Sequence, residues 1–240
     1  MSKSLKLFLG ISYIIILFAF LYLILSFVDL TRLDDFLYYK ELQIDLEKTI
    51  GNNLYTNLFL FFIFCLVWVS LLGFGSPLLI ISGILFGKWL GTFISVLSFS
   101  IGALILYSIA NFFFKDLVRD LLEKRFIKYI HLFRKNEFNY FLAFRLTGGL
   151  GIPFGPQNVL PVIFNIKKFN YFLASFLGFI PMFFIWNTIG SGLNEYIKQA
   201  DNFSFIKLLF NKEIYLPIIL FIIVMLISVI IKKRIFNDKV

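Results

Sequence analysis

One arginine and two amides sit inside a glycine- and proline-rich stretch of an otherwise apolar chain. Residues 144–166 read FRLTGGLGIPFGPQNVLPVIFNI, and Arg145, Gln157 and Asn158 are the side chains there best able to bind a ligand. A guanidinium offers a planar fork of donors that matches phosphate, and the amides add donors and acceptors. That set suits an anionic headgroup. Enzymatic chemistry on a lipid needs a paired acid and base or an activated nucleophile, and the apolar segments hold no Asp, Glu or His. No enzyme and no cofactor is therefore expected. His131 and Cys65 are the single residues of their kinds. Without a cluster of partners they imply neither a metal site nor an intrachain disulfide. Each candidate has a plainer reading. Arg145 could snorkel to the interface or pair with a backbone carbonyl. Gln157 and Asn158 could cap free backbone groups instead of a ligand.

The segment that carries these residues cannot be one continuous helix, because Gly148, Gly149, Gly151, Pro153, Gly155, Pro156 and Pro161 interrupt it. Its surroundings are those of a membrane protein. Hydrophobic residues make up 60% of the 240, charged residues only 15%, and mean hydropathy is +0.88. Several apolar runs reach the ~20 residues that cross a hydrocarbon core. Broken backbone at membrane depth is tolerated only where protein or a water-lined cavity satisfies it. The net charge of +9 lies beside apolar spans. It therefore points to anionic headgroups and a positive-inside signal, not to nucleic acid. The 34 phenylalanines are read as coding bias and lipid-facing packing.

Taken in order, 1–53 holds a first span (5–28) and an acidic loop with net charge −3. That loop contains a short helix with Leu33, Phe36, Leu37 and Ile44 on one side. Residues 54–190 form a core. Within it, 54–87 is a first broken segment interrupted at Gly73, Gly75, Ser76 and Pro77, and 89–114 is a span. Residues 115–137 form a basic interfacial helix of net charge +3, 138–166 a second broken segment, and 169–190 another span. A polar connector, a last span at 214–231 and the Lys232, Lys233, Arg234 cluster complete 191–240. Gly83, Gly87, Gly91 and Ser95 recur every four residues, a small-residue ridge that lets a helix approach closely within the chain or in a homodimer.

Loop charge decides the topology. If both broken segments are re-entrant hairpins, the acidic loop lies outside, and the termini and basic loop lie in the cytoplasm. If 54–72 crosses fully, the basic groups move outside. The expected fold is therefore an all-α integral membrane protein. It has about four transmembrane helices plus two opposed re-entrant helical hairpins in an inverted repeat. A shift of 78 residues sets Gly73 on Gly151 and Phe86 on Phe164. The expected location is a bacterial cytoplasmic membrane.

At these residues the chain resembles the DedA superfamily, in its VTT-domain (SNARE-associated Golgi protein) branch. The similar parts are G-x-G-S-P-L-L-x-x-x-G-x-L-F-G at Gly73–Gly87 with the glycine ridge, Phe144–Arg145, G-I-P-F-x-x-Q-N at Gly151–Asn158, and the span with Gly178 and Pro181. The resemblance implies two opposed re-entrant hairpins and movement of lipids between leaflets, as scramblase or flippase of phospholipid or polyprenyl phosphate. Membrane lipids are then the partners. Two features depart from it. The acidic residue that many relatives carry beside the first hairpin's proline is absent from Gly75-Ser76-Pro77, and Arg145 stands without a second arginine. Both argue against proton-driven transport and leave energy-independent scrambling open. A transporter of ions or small solutes and a membrane-organising protein are the alternatives.

Overall fold

The computed structural model describes residues 36–71, 75–113, 115–120, 130, 133, 135–200 and 204–231, with three isolated positions at 15, 18 and 22. Nearly all of the predicted first span, Gly73, His131 and the Lys232–Arg234 cluster lie outside the described residues. Every regular element among the described residues is helical.

The helices are α1 (Phe36–Asn52), α2 (Leu54–Ser70), α3 (Ser76–Phe113), α4 (Glu137–Leu146), α5 (Phe154–Val159), α6 (Lys168–Gln199), α7 (Phe205–Leu209) and α8 (Lys212–Ile231). Helices α3 and α6 are long and apolar enough to cross a membrane, and α1 and α2 meet at 107°. Short 3₁₀ turns at Gly148–Gly151 and Leu160–Phe164 flank α5. Pro77 falls in the first turn of α3, where its missing N–H costs nothing. Gly87 then kinks α3 at φ 72°, ψ 176°.

Beyond the kink, α3 runs antiparallel to α6. Ring contacts trace the pairing from Trp89–Phe184 (4.9 Å) through Phe99–Phe183 (5.0 Å) to Tyr107–Tyr171 (4.5 Å). The core lies along this seam, around Phe99, Phe141, Val162 and Ala174. With lipid as solvent, such packing rests on close van der Waals fit. Small residues permit it: a Cβ on Gly83 would collide with the backbone of Asn187, and one on Gly190 with Ile80. The first half packs on itself as well, since a Cβ on Gly102 would press on Val69 of α2.

Four details differ from the sequence reading. Helix α1 turns Tyr38 and Gln43 inward, while Leu37 and Ile44 are exposed. The cause is docking on the end of α6, where Lys40 Nζ donates to the Ala200 carbonyl and Glu47 pairs with Lys198. Val118, Ile130 and Phe133 of the basic stretch face the protein core, not lipid, with Phe133 stacked on Phe164. Glu137 opens α4 and does not close that stretch, because the Asn136 side chain caps the helix by accepting from the Asn139 N–H. Finally, α6 continues through Gly190 and Gly192 to Gln199. Those glycines are points of close approach, to Ile80 and to Glu213 of α8, and not breakers.

Candidate functional site

Arg145 lies in the last turn of α4 and is 2% exposed. Its Nε donates to Ser175 Oγ at 3.1 Å and its Nη2 to Tyr171 Oη at 2.8 Å. The guanidinium carbon sits 4.7 Å from the Phe179 ring centre, 4.8 Å from Phe141 and 5.3 Å from Tyr171. Nη1 has no partner. Gly178 makes the arrangement fit, because a Cβ there would overlap Cβ of Arg145.

These partners are neutral. Hydroxyl bonds to a charged donor contribute ~1.5–3 kcal/mol each, and a desolvated ring face adds up to ~2 kcal/mol. Removing an arginine from water costs several kcal/mol. The hydroxyls and rings hold the cation in place without neutralising it. Chemically, the cluster is a buried positive charge with one free donor nitrogen, suited to an anion.

Tyr171 joins the cluster to the second break. Its hydroxyl accepts from Arg145 and donates to the Asn158 carbonyl at 3.1 Å. Tyr107 stacks on it at 13° between ring planes and donates to the Ile166 carbonyl at 2.6 Å.

The predicted amides separate in role. Gln157 Nε2 donates to the Gly148 and Ile152 carbonyls, and the close approach of its side chain leaves no room for a Cβ on Gly149. In this conformation its amide nitrogen caps free backbone. Asn158 is fully buried, and both of its amide atoms lack a partner.

The turn residues divide between two breaks. Gly148, Gly149 and Gly151 have φ of 63°, 71° and 83°, and such left-handed positions call for glycine. Pro153 precedes α5 at its N-cap, while Gly155 and Pro156 lie in its first turn. In the first break Gly75 is buried, and Ser76 and Pro77 are exposed at the start of α3. The two breaks meet: a Cβ on Gly75 would lie 3.3 Å from Phe99 and 3.7 Å from Phe154. Of the small-residue ridge, Gly83 and Gly91 face Asn187, and Ser95 Oγ donates to Ser82 Oγ. Gly87 has open space around it. Asn187 Nδ2 donates to the Phe183 carbonyl within its own helix.

Sequence reasoning missed Tyr171, Ser175 and Tyr107. A signal was present: Tyr171 and Ser175 are four apart on an apolar helix, and so lie on one face. Among the described residues no group of three or more His, Cys, Asp or Glu could hold a metal.

A model of the VTT domain family matches residues 73–192, half of the chain. No solved structure matches it.

Proposed function

We propose, from the premise that the chain belongs to the VTT-domain family, the DedA and SNARE-associated Golgi protein branch, that it carries phosphate-bearing lipid between the leaflets of its membrane. The observation that carries this reading is Arg145: a buried guanidinium held by two hydroxyls and three ring faces, with Nη1 free, beside the break that follows α4. An intramembrane arginine is costly and points to function, and this one has a donor to spare.

The arrangement of the breaks supports a path there. Gly87, at the kink of α3, and Asn165, after the 3₁₀ turn that follows α5, lie at opposite ends of the antiparallel α3–α6 pair. In this reading 54–87 and 138–166 are re-entrant hairpins from opposite faces, with about four spans around them. Contacts also sort by predicted side. Lys88–Glu213 and Glu47–Lys198 group acidic-loop and connector residues at one end. Lys115–Asn165 and Glu137 with Asn170 lie at the other. Two tips meeting near mid-membrane shorten the barrier that a desolvated phosphate must cross.

In the conformation described the site is closed. A lipid phosphate reaches Arg145 when α4 and α5 part from α6, and the guanidinium fork then exchanges Ser175 and Tyr171 for phosphate oxygens. The arginine stays charged throughout, so no proton need move. The absence of a carboxylate beside Ser76 and Pro77 agrees with scrambling that needs no proton gradient.

The test is dithionite-accessible exchange of fluorescent phospholipid in proteoliposomes. Arg145→Ala loses exchange while remaining monodisperse in detergent. Arg145→Lys keeps the charge but not the fork, and loses most of it. Normal exchange in Arg145→Ala overturns the reading. Solute uptake by the wild-type protein without lipid exchange moves it to the small-solute alternative.

A further inference from the structure

We propose that the cleft between α6 and α8, at the Lys88 end of the molecule, is a binding site for an anionic phospholipid. This concerns binding at a second place and does not depend on Arg145 or on movement between leaflets. The cleft encloses about 320 Å³, within the range of pockets that hold small organic molecules. Lys88, Lys212 and Glu213 surround its mouth. Phe184 of α6 and Leu216 and Leu220 of α8 form its wall.

The charges leave a surplus. Lys88 Nζ is 3.6 Å from Glu213 Oε2, and both side chains are more than a third exposed. Lys212 is exposed and makes no ion pair among the described residues. Two cations against one carboxylate leave a net positive mouth, which a phosphate complements. Thr188 adds no competing polar group. Its hydroxyl donates to the Phe184 carbonyl at 2.7 Å, so the wall below the mouth stays apolar.

The shape selects a lipid over a free phosphate ion. From Lys212 to Leu220 the helix descends eight residues, about 12 Å at 1.5 Å per residue, the reach of the upper part of an acyl chain. Leu216 is 50% exposed and Leu220 47%, so the wall is open sideways to the surrounding hydrocarbon. A chain can enter laterally while its headgroup remains at the lysines. The site also differs in location from the arginine cluster. It lies beside 184–188 of α6, whereas Arg145 lies beside 175–179.

The experiment is native mass spectrometry of the full chain in detergent, titrated with dioleoyl phosphatidylglycerol, with phosphatidylcholine for comparison. The wild type binds phosphatidylglycerol in preference to phosphatidylcholine. Lys212→Gln lowers that affinity about five-fold, the size of one lysine's attraction near a membrane surface. Leu220→Trp fills the trough and lowers retention of both lipids. The loss caused by Lys212→Gln persists in the Arg145→Ala background, so the two sites are read separately. Equal phosphatidylglycerol affinity in wild type and Lys212→Gln overturns the proposal. So does displacement of the lipid by millimolar inorganic phosphate, which would mark an ion site. Both α8 positions are exposed, and neither substitution disturbs a buried contact.

Discussion

Residues 54–113 and 137–199 run through the same order of elements. Each has a helix, a glycine-containing break, and a helical piece that ends at a positive-φ residue before a long apolar run of helix; in the first stretch the piece and the run are both part of α3, kinked at Gly87. Gly87 and Asn165 are those positive-φ residues and are 78 residues apart, the shift that also sets Phe86 on Phe164. At the same shift the chemistry does not repeat. Arg145, Gln157, Asn158, Tyr171 and Ser175 fall on Val67, Leu79, Ile80, Phe93 and Leu97. The order of helices is similar, but the buried arginine and its tyrosine and serine partners lie in the second half, whereas the first half buries small hydroxyls, with Ser95 donating to Ser82. The first half contributes small residues instead: Gly83 and Gly91 against Asn187, and Gly102 against α2. One half supplies close packing and the other holds a charge.

The comparison breaks first at its most asymmetric pair. Arg145→Ala abolishes lipid exchange, whereas Val67→Ala at the matching place retains it, both measured in proteoliposomes at equal reconstituted protein. Equal loss in the two variants would show that the halves share the function and that Arg145 has no special part. The reverse asymmetry is one of stability. Gly83→Leu forces α3 off the Asn187 backbone and costs about 3 kcal/mol, at the upper end for overpacking. It is read as loss of monodisperse protein on gel filtration. Gln157→Leu leaves the Gly148 and Ile152 carbonyls without their donor and costs ~1–3 kcal/mol. Its exchange rate, corrected for folded protein, stays near that of the wild type. A rate that falls with folding unchanged would return Gln157 to the headgroup.

The positive-φ pair sharpens the comparison at smaller size. Gly87 has φ 72°, ψ 176°, a region essentially reserved for glycine. Asn165 has φ 54°, ψ 47°, the left-handed helical region that asparagine tolerates. Gly87→Ala therefore costs about 1–3 kcal/mol, although a Cβ there meets nothing. Asn165→Gly changes the thermal midpoint in detergent by no more than about 2 °C.

Much of this plan was legible in the chain. Helix breakers announce themselves, because glycine and proline change the backbone whatever surrounds them. That is why the interruptions at Gly75–Pro77 and Gly148–Pro156 could be placed in advance. The partners of Arg145 could not. Tyr171, Ser175 and Phe179 reach it from another helix, and only the approach permitted by Gly178 brings them within 5.3 Å. The end of α6 was placed too early: the span was bounded at 190, yet the helix runs on through Gly190 and Gly192 to Gln199. A glycine inside a helix costs only about 1 kcal/mol, which close packing readily offsets. The docking of α1 on α6 was not legible for a related reason. With Leu37 and Ile44 on one side its pattern suggested a simple surface helix, yet polar contacts to the end of α6 set its rotation.

The smallest expected effect concerns how the halves are tied at their ends. At one end Glu137 holds α4 to α6 within the second half, accepting from the Lys167 N–H and the Asn170 amide. At the other, Glu47 of α1 pairs with Lys198 of α6. The hydrogen bond from Lys198 holds the Glu47 carboxyl below the usual carboxylate range. A carboxylate with a lowered folded-state pKa stabilises the fold fully above its unfolded value, near 4.3. That contribution is lost as pH falls through the lowered value. Glu47 and Lys198 are 47% and 34% exposed, so solvent screening holds the contribution to about 0.5 kcal/mol or less. Acidification from pH 7 to about 3 should therefore lower the wild-type thermal midpoint by ~1–2 °C more than that of Lys198→Gln. A gap of several degrees would mean that the α1–α6 contact is structural to the whole bundle, and that the second half depends on a helix outside both.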